Sequence, residues 1–136
     1  MTQQTDVKRG TQLTVYLDDR PGTLGVLADL LGRNRVNLFG LSVTATAEGH
    51  GCARLVVDDT EKARQLIEDA GELVAAGEVL LLRADNAPGS FGRILQRLAD
   101  AQVNVEYAYS IGGPGDGKAI VLRPSDIDTA LAALGA

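Results

Sequence analysis

The sequence predicts an α+β fold made of two β-α-β-β-α-β units, each with an antiparallel sheet and its helices on one face. Three observations support this prediction: an internal repeat, short segments of alternating apolar and polar residues, and segments with apolar residues at helical spacing. The repeat has a constant offset of 67 residues, because Asp18 to Gly25 (DDRPGTLG) aligns with Asp85 to Gly92 (DNAPGSFG). Val36-Asn37 aligns with Val103-Asn104 at the same offset. We therefore expect one unit over residues 10–77 and a second over residues 78–136.

The agreement between the two copies exceeds what composition alone explains. From Asp18 to Asn37 the copies share seven of twenty residues, where average amino-acid usage predicts about one or two. The sequence therefore indicates a duplicated unit.

The elements of the first unit follow from local patterns. Gln12 to Leu17 alternates apolar and polar residues, which is typical of a half-buried strand. Apolar residues then recur on one face of a helix that starts after Pro21-Gly22 and ends near Asn34. The remaining elements are strands at 36–46 and 52–57, a helix from 59 or 60 to 70, and a short strand at 73–75. This order is that of the ferredoxin-like fold.

The second unit repeats this plan but is expected to lack its own last strand. Its predicted elements are a strand at 79–83, a helix at 89–101, strands at 103–111 and 118–122 joined by a glycine-rich turn, and a helix at 126–134. The 67-residue offset places a fourth strand beyond Ala136. Because that strand would cover the edge of the first, we expect another segment to cover it. The candidates are the N-terminal arm (Thr5 to Gly10), the other unit and a second chain.

Composition excludes several classes of partner. The 13 Lys and Arg residues against 18 Asp and Glu residues give a net charge of −5 without a basic block, which argues against nucleic acid. No apolar run approaches the roughly 20 residues that span a bilayer, so no membrane partner is expected. The start of the chain has no apolar stretch typical of a secretory signal. We therefore expect a cytoplasmic protein.

The residues needed for most catalytic mechanisms are missing from the sequence. It has one His and one Cys, and it has no pattern typical of metal hydrolases, phosphate-binding loops or nucleophilic serines. We therefore expect no enzymatic activity, no cofactor and no metal. The single Cys52 excludes an internal disulfide.

The two Pro-Gly turns are the candidate binding features. Each precedes a helix, and the first amides of a helix have no intrahelical acceptor and carry a partial positive charge. Gly22 and Gly89 lack a Cβ, so a carboxylate could approach the amides of residues 22–24 or 89–91. A purely structural role explains the same residues equally well: Pro-Gly is common before helices, Asp19 and Asn86 can serve as caps, and Asn37 and Asn104 can shape turns.

Both copies together resemble the signature of ACT domains, which are small regulatory modules with the βαββαβ fold. The resemblance rests on DRPGTLG followed by Val36-Asn37-Leu38 and on NAPGSFG followed by Val103-Asn104-Val105. It is closest to free-standing proteins made of two tandem ACT domains, and it covers roughly Leu13 to Leu134. The resemblance implies an amino acid or similar carboxylate effector, bound where the turn of one unit meets the second strand of a neighbour.

The resemblance also implies which residues contact the effector. In the first copy these are Asp19, Gly22, Thr23, Leu24, Asn37 and Leu38, and in the second copy they are Asn86, Gly89, Ser90, Phe91, Asn104 and Val105. Asp19 repels a carboxylate, whereas Asn86 can donate to one. We therefore expect unequal sites, with the Asn86 site better suited to a free amino acid.

The expected function is a non-enzymatic sensor that forms a homodimer and acts on an unidentified regulated protein. The alternative is a protein-interaction or oligomerisation module without a ligand. An RNA-recognition motif shares the strand order, but the chain lacks its basic charge and its strand-borne aromatic residues.

Overall fold

The computed structural model describes residues 6–18, 20–45, 49–85, 87–111 and 118–135. Their elements, in chain order, are β1 (Asp6–Asp18), α1 (Thr23–Arg33), β2 (Leu38–Ala45), β3 (His50–Val57), α2 (Thr60–Asp69), β4 (Leu73–Ala84), α3 (Ser90–Asp100), β5 (Val105–Ile111), β6 (Lys118–Pro124) and α4 (Ile127–Ala133). The predicted α+β class with two ferredoxin-like units is confirmed. The predicted tip of the β5–β6 hairpin lies outside the described residues.

The chain divides into two compact units. The first-repeat unit is Thr11–Gly77, and the second-repeat unit comprises residues 78–135 together with residues 6–10. The sequence places residue 10 in the first unit, whereas the structure groups residues 6–10 with the second repeat.

The first-repeat unit has strands in the order β2-β3-β1-β4. β3 pairs antiparallel with both β1 and β2, with Leu55 opposite Leu13 on one side and Leu41 on the other. Alternate residues of β1 and β3 face the two helices, as the alternation in the sequence predicts. The resulting core contains Leu13, Val15, Leu27, Leu31, Val36, Ala53, Leu55, Val57, Ala63 and Ile67.

The second-repeat unit has the strand order β1-β4-β6-β5, with β6 antiparallel to both β4 and β5. Its core is likewise aliphatic and contains Leu80, Leu82, Ala84, Ile94, Leu98, Val103, Ile120, Leu122, Ala130 and Leu134. Each repeat therefore buries its own apolar face between a sheet and two helices.

The start of β1 covers the edge that the second repeat leaves open. Val7 packs against the core of the second-repeat unit, and Arg9 forms ion pairs with Glu78 and Asp128. A Cβ built on Gly10 would lie 2.5 Å from Leu81 Cδ1, so the Leu81 side chain of β4 packs directly over the backbone at this residue. Of the three candidates for this role, residues 6–10 of the N-terminal arm are the segment found beside β4.

Two strand predictions are wrong in extent. The sequence predicts strands at 73–75 and 79–83, but β4 runs without interruption from Leu73 to Ala84. It also predicts the first strand from Gln12, whereas β1 begins at Asp6. Gly77 and Gly10 interrupt the alternation and are typical of breaks, but pairing between β1 and β4 keeps both segments extended.

The pH dependence of stability is expected to include a contribution from the start of α4. The Asp126 carboxylate accepts a hydrogen bond from the Thr129 backbone N–H at 3.1 Å, which lowers the pKa of Asp126 below its ordinary value. A carboxyl with a lowered folded-state pKa stabilises the fold above its unfolded-state pKa, and this stabilisation is lost as the pH falls through the folded-state value.

Asn at this position retains a side-chain acceptor but cannot ionise. We therefore expect the free energy of unfolding of Asp126→Asn to fall less on acidification than that of the parent chain. Urea unfolding at neutral pH and below about pH 4, near the ordinary Asp value, measures this difference. Identical pH profiles for the two proteins would contradict the assignment.

Candidate functional site

The turn between β1 and α1 is held by hydrogen bonds to two backbone carbonyls. The Asp18 carbonyl accepts from the Arg20 N–H at 3.0 Å. The Arg20 carbonyl accepts from the Thr23 N–H at 3.4 Å and from the Thr23 hydroxyl at 2.9 Å. Gly22 adopts φ of 91°, in the left-handed region that other residues rarely occupy. A Cβ built on Gly22 would meet nothing within 4 Å, so this residue is required by its backbone conformation rather than by lack of space.

The turn between β4 and α3 is built in the same way. The Ser90 N–H donates to the Ala87 carbonyl at 3.1 Å, and the Ser90 hydroxyl donates to the Asp85 carbonyl at 2.6 Å. Gly89 has φ of 83°. In both turns the predicted Thr or Ser therefore uses its N–H and its hydroxyl proton within the turn, which leaves the hydroxyl oxygen as an acceptor only.

Among the described residues, no side chain caps the two helices that follow the turns. By contrast, Asp59 accepts from the Lys62 N–H and Asp126 accepts from the Thr129 N–H, so α2 and α4 are both capped. Val26 and Arg93 donate the first intrahelical bonds of α1 and α3, to Gly22 and Gly89.

The open amides include those of the next two residues of each helix. Among the described residues, no acceptor is found for the N–H groups of Leu24 and Gly25 in α1 or of Phe91 and Gly92 in α3. Open amides at a helix start attract an anion through hydrogen bonding and through the helix dipole. The open positions thus extend one residue beyond the predicted ranges 22–24 and 89–91, to two glycines that the repeat itself aligns.

The side chains of several predicted site residues are directed elsewhere. Leu24 and Leu38 pack against the core of the first-repeat unit, and Phe91 and Val105 pack against that of the second. These four residues can therefore contact a ligand at the turns chiefly through their backbones. Asp19 and Asn86 lie outside the described residues.

Asn37 and Asn104 are not brought to the turns of their own units. Each lies after the C-terminal end of the helix whose start forms the turn, and an 11-residue helix is about 16 Å long. Their backbones instead form reciprocal bonds, Asn37 with Asp58 and Asn104 with Ser125. Within one unit the two halves of the predicted site are therefore separate.

The two turns differ in charge at the position four residues after the glycine. A Cβ built on Gly89 would lie 3.2 Å from Arg93 Nη1, so a guanidinium lies beside the start of α3. The corresponding residue in α1 is Val26, whose side chain is 71% exposed. Sequence reasoning missed Arg93, although the same 67-residue offset aligns it with Val26.

The described part of the chain has neither a metal-binding cluster nor a membrane-spanning helix. There, no group of three or more His, Cys, Asp and Glu side chains is arranged to hold a metal ion. None of the helices described is both long enough and apolar enough to cross a bilayer.

Comparisons with known proteins agree with this architecture. A crystal structure of protein BT0572 from Bacteroides thetaiotaomicron is 27% identical with a TM-score of 0.88, over 94% of this chain and 88% of that one. The ligand-free regulatory subunit of aspartate kinase from Thermus thermophilus is 14% identical with a TM-score of 0.71, over 98% and 95%. The regulatory subunit from Thermus flavus is 15% identical with a TM-score of 0.65, over the same shares.

At these identities the two kinase subunits show a shared fold only. A search of curated proteins gives no match. The sequence profile of the ACT domain pair matches residues 9–132, which is most of the chain. The chain therefore belongs to the ACT domain pair family.

Proposed function

We propose that this chain is a non-enzymatic regulatory sensor whose Pro-Gly turns bind the carboxylate of a small amino acid. The observation that carries this proposal is the pair of helix starts at which Leu24-Gly25 and Phe91-Gly92 have open amides among the described residues. The other two helices differ, because Asp side chains cap their first turns. Family membership supports it, because ACT domains are regulatory modules.

The energetics favour a weak, reversible effector. The net charge of −5 does not attract anions to the surface as a whole, so binding depends on the local amides. Each charge-assisted hydrogen bond contributes about 1.5 to 3 kcal/mol, and immobilising the ligand offsets part of this. Dissociation constants on the order of micromolar to millimolar follow, which suit a sensor of metabolite concentration.

The second-repeat turn is the stronger of the two proposed sites. Arg93 adds a positive charge beside Gly89, whereas the first-repeat turn has the aliphatic Val26 at that position. The sequence adds a second difference, because Asn86 can donate to a carboxylate and Asp19 repels it. Both differences favour an amino acid at the second repeat.

Placing a carboxylate on the open amides tests this function. We expect Gly92→Asp to weaken binding of the effector at least tenfold, because the new carboxylate occupies the start of α3 and repels an anion. The fold should tolerate it, since a Cβ at Gly92 meets nothing within 4 Å and Asp suits the first turn of a helix. A thermal-shift screen of the twenty amino acids identifies the effector, and calorimetry then measures its affinity.

Gly92→Ala is the matched control, since it adds a side chain without a charge and should bind as the parent does. Gly25→Asp should have the smaller effect if the first-repeat site is weaker. The proposal is refuted if no amino acid raises the melting temperature in the screen. It is also refuted if the effector binds equally well to the parent and to both Asp variants.

A second candidate function is an interaction module, and an exposed apolar face supports it. Phe39, Leu41 and Val43 alternate along β2 and are 58%, 41% and 51% exposed, on the side opposite the residues that face the helices. The 67-residue offset places Glu106, Ala108 and Ser110 at the same positions of β5. The apolar face is thus specific to the first repeat.

We propose that this face contacts a second copy, giving a homodimer that acts in the cytoplasm on a separate regulated protein. Phe39→Glu copies the residue found at the equivalent position of β5, and we expect it to shift sedimentation from dimer to monomer. A parent chain that sediments as a monomer would exclude the homodimer.

A further inference from the structure

A cavity lies in the first-repeat unit on the helical side of its Pro-Gly turn. Its volume is about 270 Å³, and it is bounded by the end of β1, the first turns of α1 and the C-terminal end of α2. Drug-sized ligands occupy pockets of about 300 to 1,000 Å³. This cavity therefore suits a smaller molecule, of the size of an amino acid.

The cavity wall is aliphatic. Leu27 and Ile67 form part of the buried core and supply its floor, and Leu17, Val26 and Leu30 line the sides. Val26 is 71% exposed despite its apolar side chain. An aliphatic group placed here would remove apolar surface from water, and this burial favours binding.

Two opposite charges also line the cavity, Arg20 beside the Pro-Gly turn and Glu72 after α2. Arg20 Nε lies 3.6 Å from Asp18 Oδ2, and both side chains are more than half exposed, so this ion pair is weak and exchangeable. Glu72 has no ion-pair partner among the described residues. Arg20 is thus suited to a ligand carboxylate and Glu72 to a ligand ammonium.

The second repeat keeps the floor of this cavity but not its sides. Leu27 and Ile67 align with Ile94 and Leu134, which the core of that unit requires. The lining residues differ: Leu17, Arg20, Val26 and Leu30 align with Ala84, Ala87, Arg93 and Arg97. Packing therefore explains Leu27 and Ile67 in both repeats, whereas the aliphatic side chains of Leu17, Val26 and Leu30 have no bulky aliphatic counterpart in the second repeat.

We propose that this cavity binds an α-amino acid with an aliphatic side chain as a zwitterion. The side chain contacts Leu17, Val26 and Leu30, the carboxylate pairs with Arg20, and the ammonium pairs with Glu72. The cavity shares Pro21, Gly22 and Thr23 with the first-repeat turn of the proposed function. It nevertheless goes beyond that function, because Leu24 and Gly25, whose open amides serve it in α1, do not line the cavity.

Calorimetry on the full chain with L-leucine as the probe tests the inference. Three analogues separate the contributions: 4-methylpentanoate lacks the ammonium, isopentylamine lacks the carboxylate, and L-serine lacks the aliphatic group. We expect leucine to bind at least tenfold more tightly than each of them, because only leucine satisfies both charges and the aliphatic wall.

Two variants locate the site. Arg20→Ala introduces the residue found at the aligned position of the second repeat, and Val26→Asp places a charge on the exposed wall. Each is expected to weaken leucine binding at least tenfold. Arg33→Ala is the matched control, because Arg33 lies at the other end of α1 and pairs with Asp29; it should leave leucine binding unchanged.

The outcomes separate this inference from the proposed function. Leucine binding that is lost in Arg20→Ala and Val26→Asp but retained in both Gly25→Asp and Gly92→Asp supports the cavity site, whether or not the helix-start sites exist. No heat of binding up to about 10 mM leucine, or binding that Arg20→Ala and Val26→Asp leave unchanged, would overturn it. Equal binding of leucine and either singly charged analogue would exclude the zwitterion.

Discussion

Leu80→Ala is expected to lower the free energy of unfolding by about 2 to 5 kcal/mol. Leu80 is 0% exposed and belongs to the core of the second-repeat unit, where β4 meets α3 and α4. Truncation removes buried methyl groups and leaves a cavity that the neighbouring side chains fill only in part. Urea unfolding, followed by circular dichroism, measures the loss.

Leu73→Ala is the matched control for this prediction, because it makes the same chemical change in the same strand. Leu73 is 74% exposed, so its truncation should alter stability by no more than about 0.5 kcal/mol. A cost for Leu80→Ala as small as that for Leu73→Ala would show that the second-repeat core is not packed as described.

Gly10→Val is expected to cost about 1 to 3 kcal/mol, because it overpacks the contact between the start of β1 and β4. A Cβ at this position would lie 2.5 Å from Leu81 Cδ1 and 2.7 Å from Leu81 Cγ. The Leu81 side chain must move, or the start of β1 must separate from β4. Thermal and urea unfolding report the cost, and hydrogen exchange of β4 amides reports which of the two movements occurs.

A double-mutant cycle makes this second prediction specific. Leu81→Ala removes the atoms that a side chain at residue 10 would meet, so Gly10→Val should cost much less in that background. Gly32→Ala is a control for adding a Cβ where nothing lies within 4 Å, and it should stabilise helix α1 by about 0.5 to 1 kcal/mol. Equal costs for Gly10→Val with and without Leu81 would contradict the contact.

The contact at Gly10 illustrates how the structure resolves a feature that the duplicated sequence leaves open. The 67-residue repeat predicts that the second unit has no fourth strand, but it does not identify what protects the edge of β4. Residues 6–10 have no clear alternation, and their extended conformation comes from pairing with β4 rather than from intrinsic preference. That Val7 and Arg9 help to cover the edge of β4 is evident only from their contacts.

At the candidate site, too, the sequence predicts the general feature and the structure identifies the individual amides. The sequence predicts an amide cradle at residues 22–24 and 89–91, because Pro-Gly precedes a helix in both copies. In the structure the Thr23 and Ser90 amides donate to carbonyls within the turns, whereas the N–H groups of Leu24, Gly25, Phe91 and Gly92 meet no acceptor in the described parts of the chain. Which amide is satisfied depends on the path of the turn, and no residue pattern specifies that path.

Local pattern alone establishes the duplication, the order of the elements, the start of a helix at each Pro-Gly turn, and the ACT resemblance. These features depend on side-chain periodicity and on glycine and proline conformation, which act within a few residues. Tertiary contacts alone decide that β4 is continuous, that residues 6–10 complete the second repeat, that Arg93 lies beside Gly89, and that Arg20 and Glu72 line one cavity. Each of these joins residues distant in sequence or depends on side-chain placement, and so requires the packed chain.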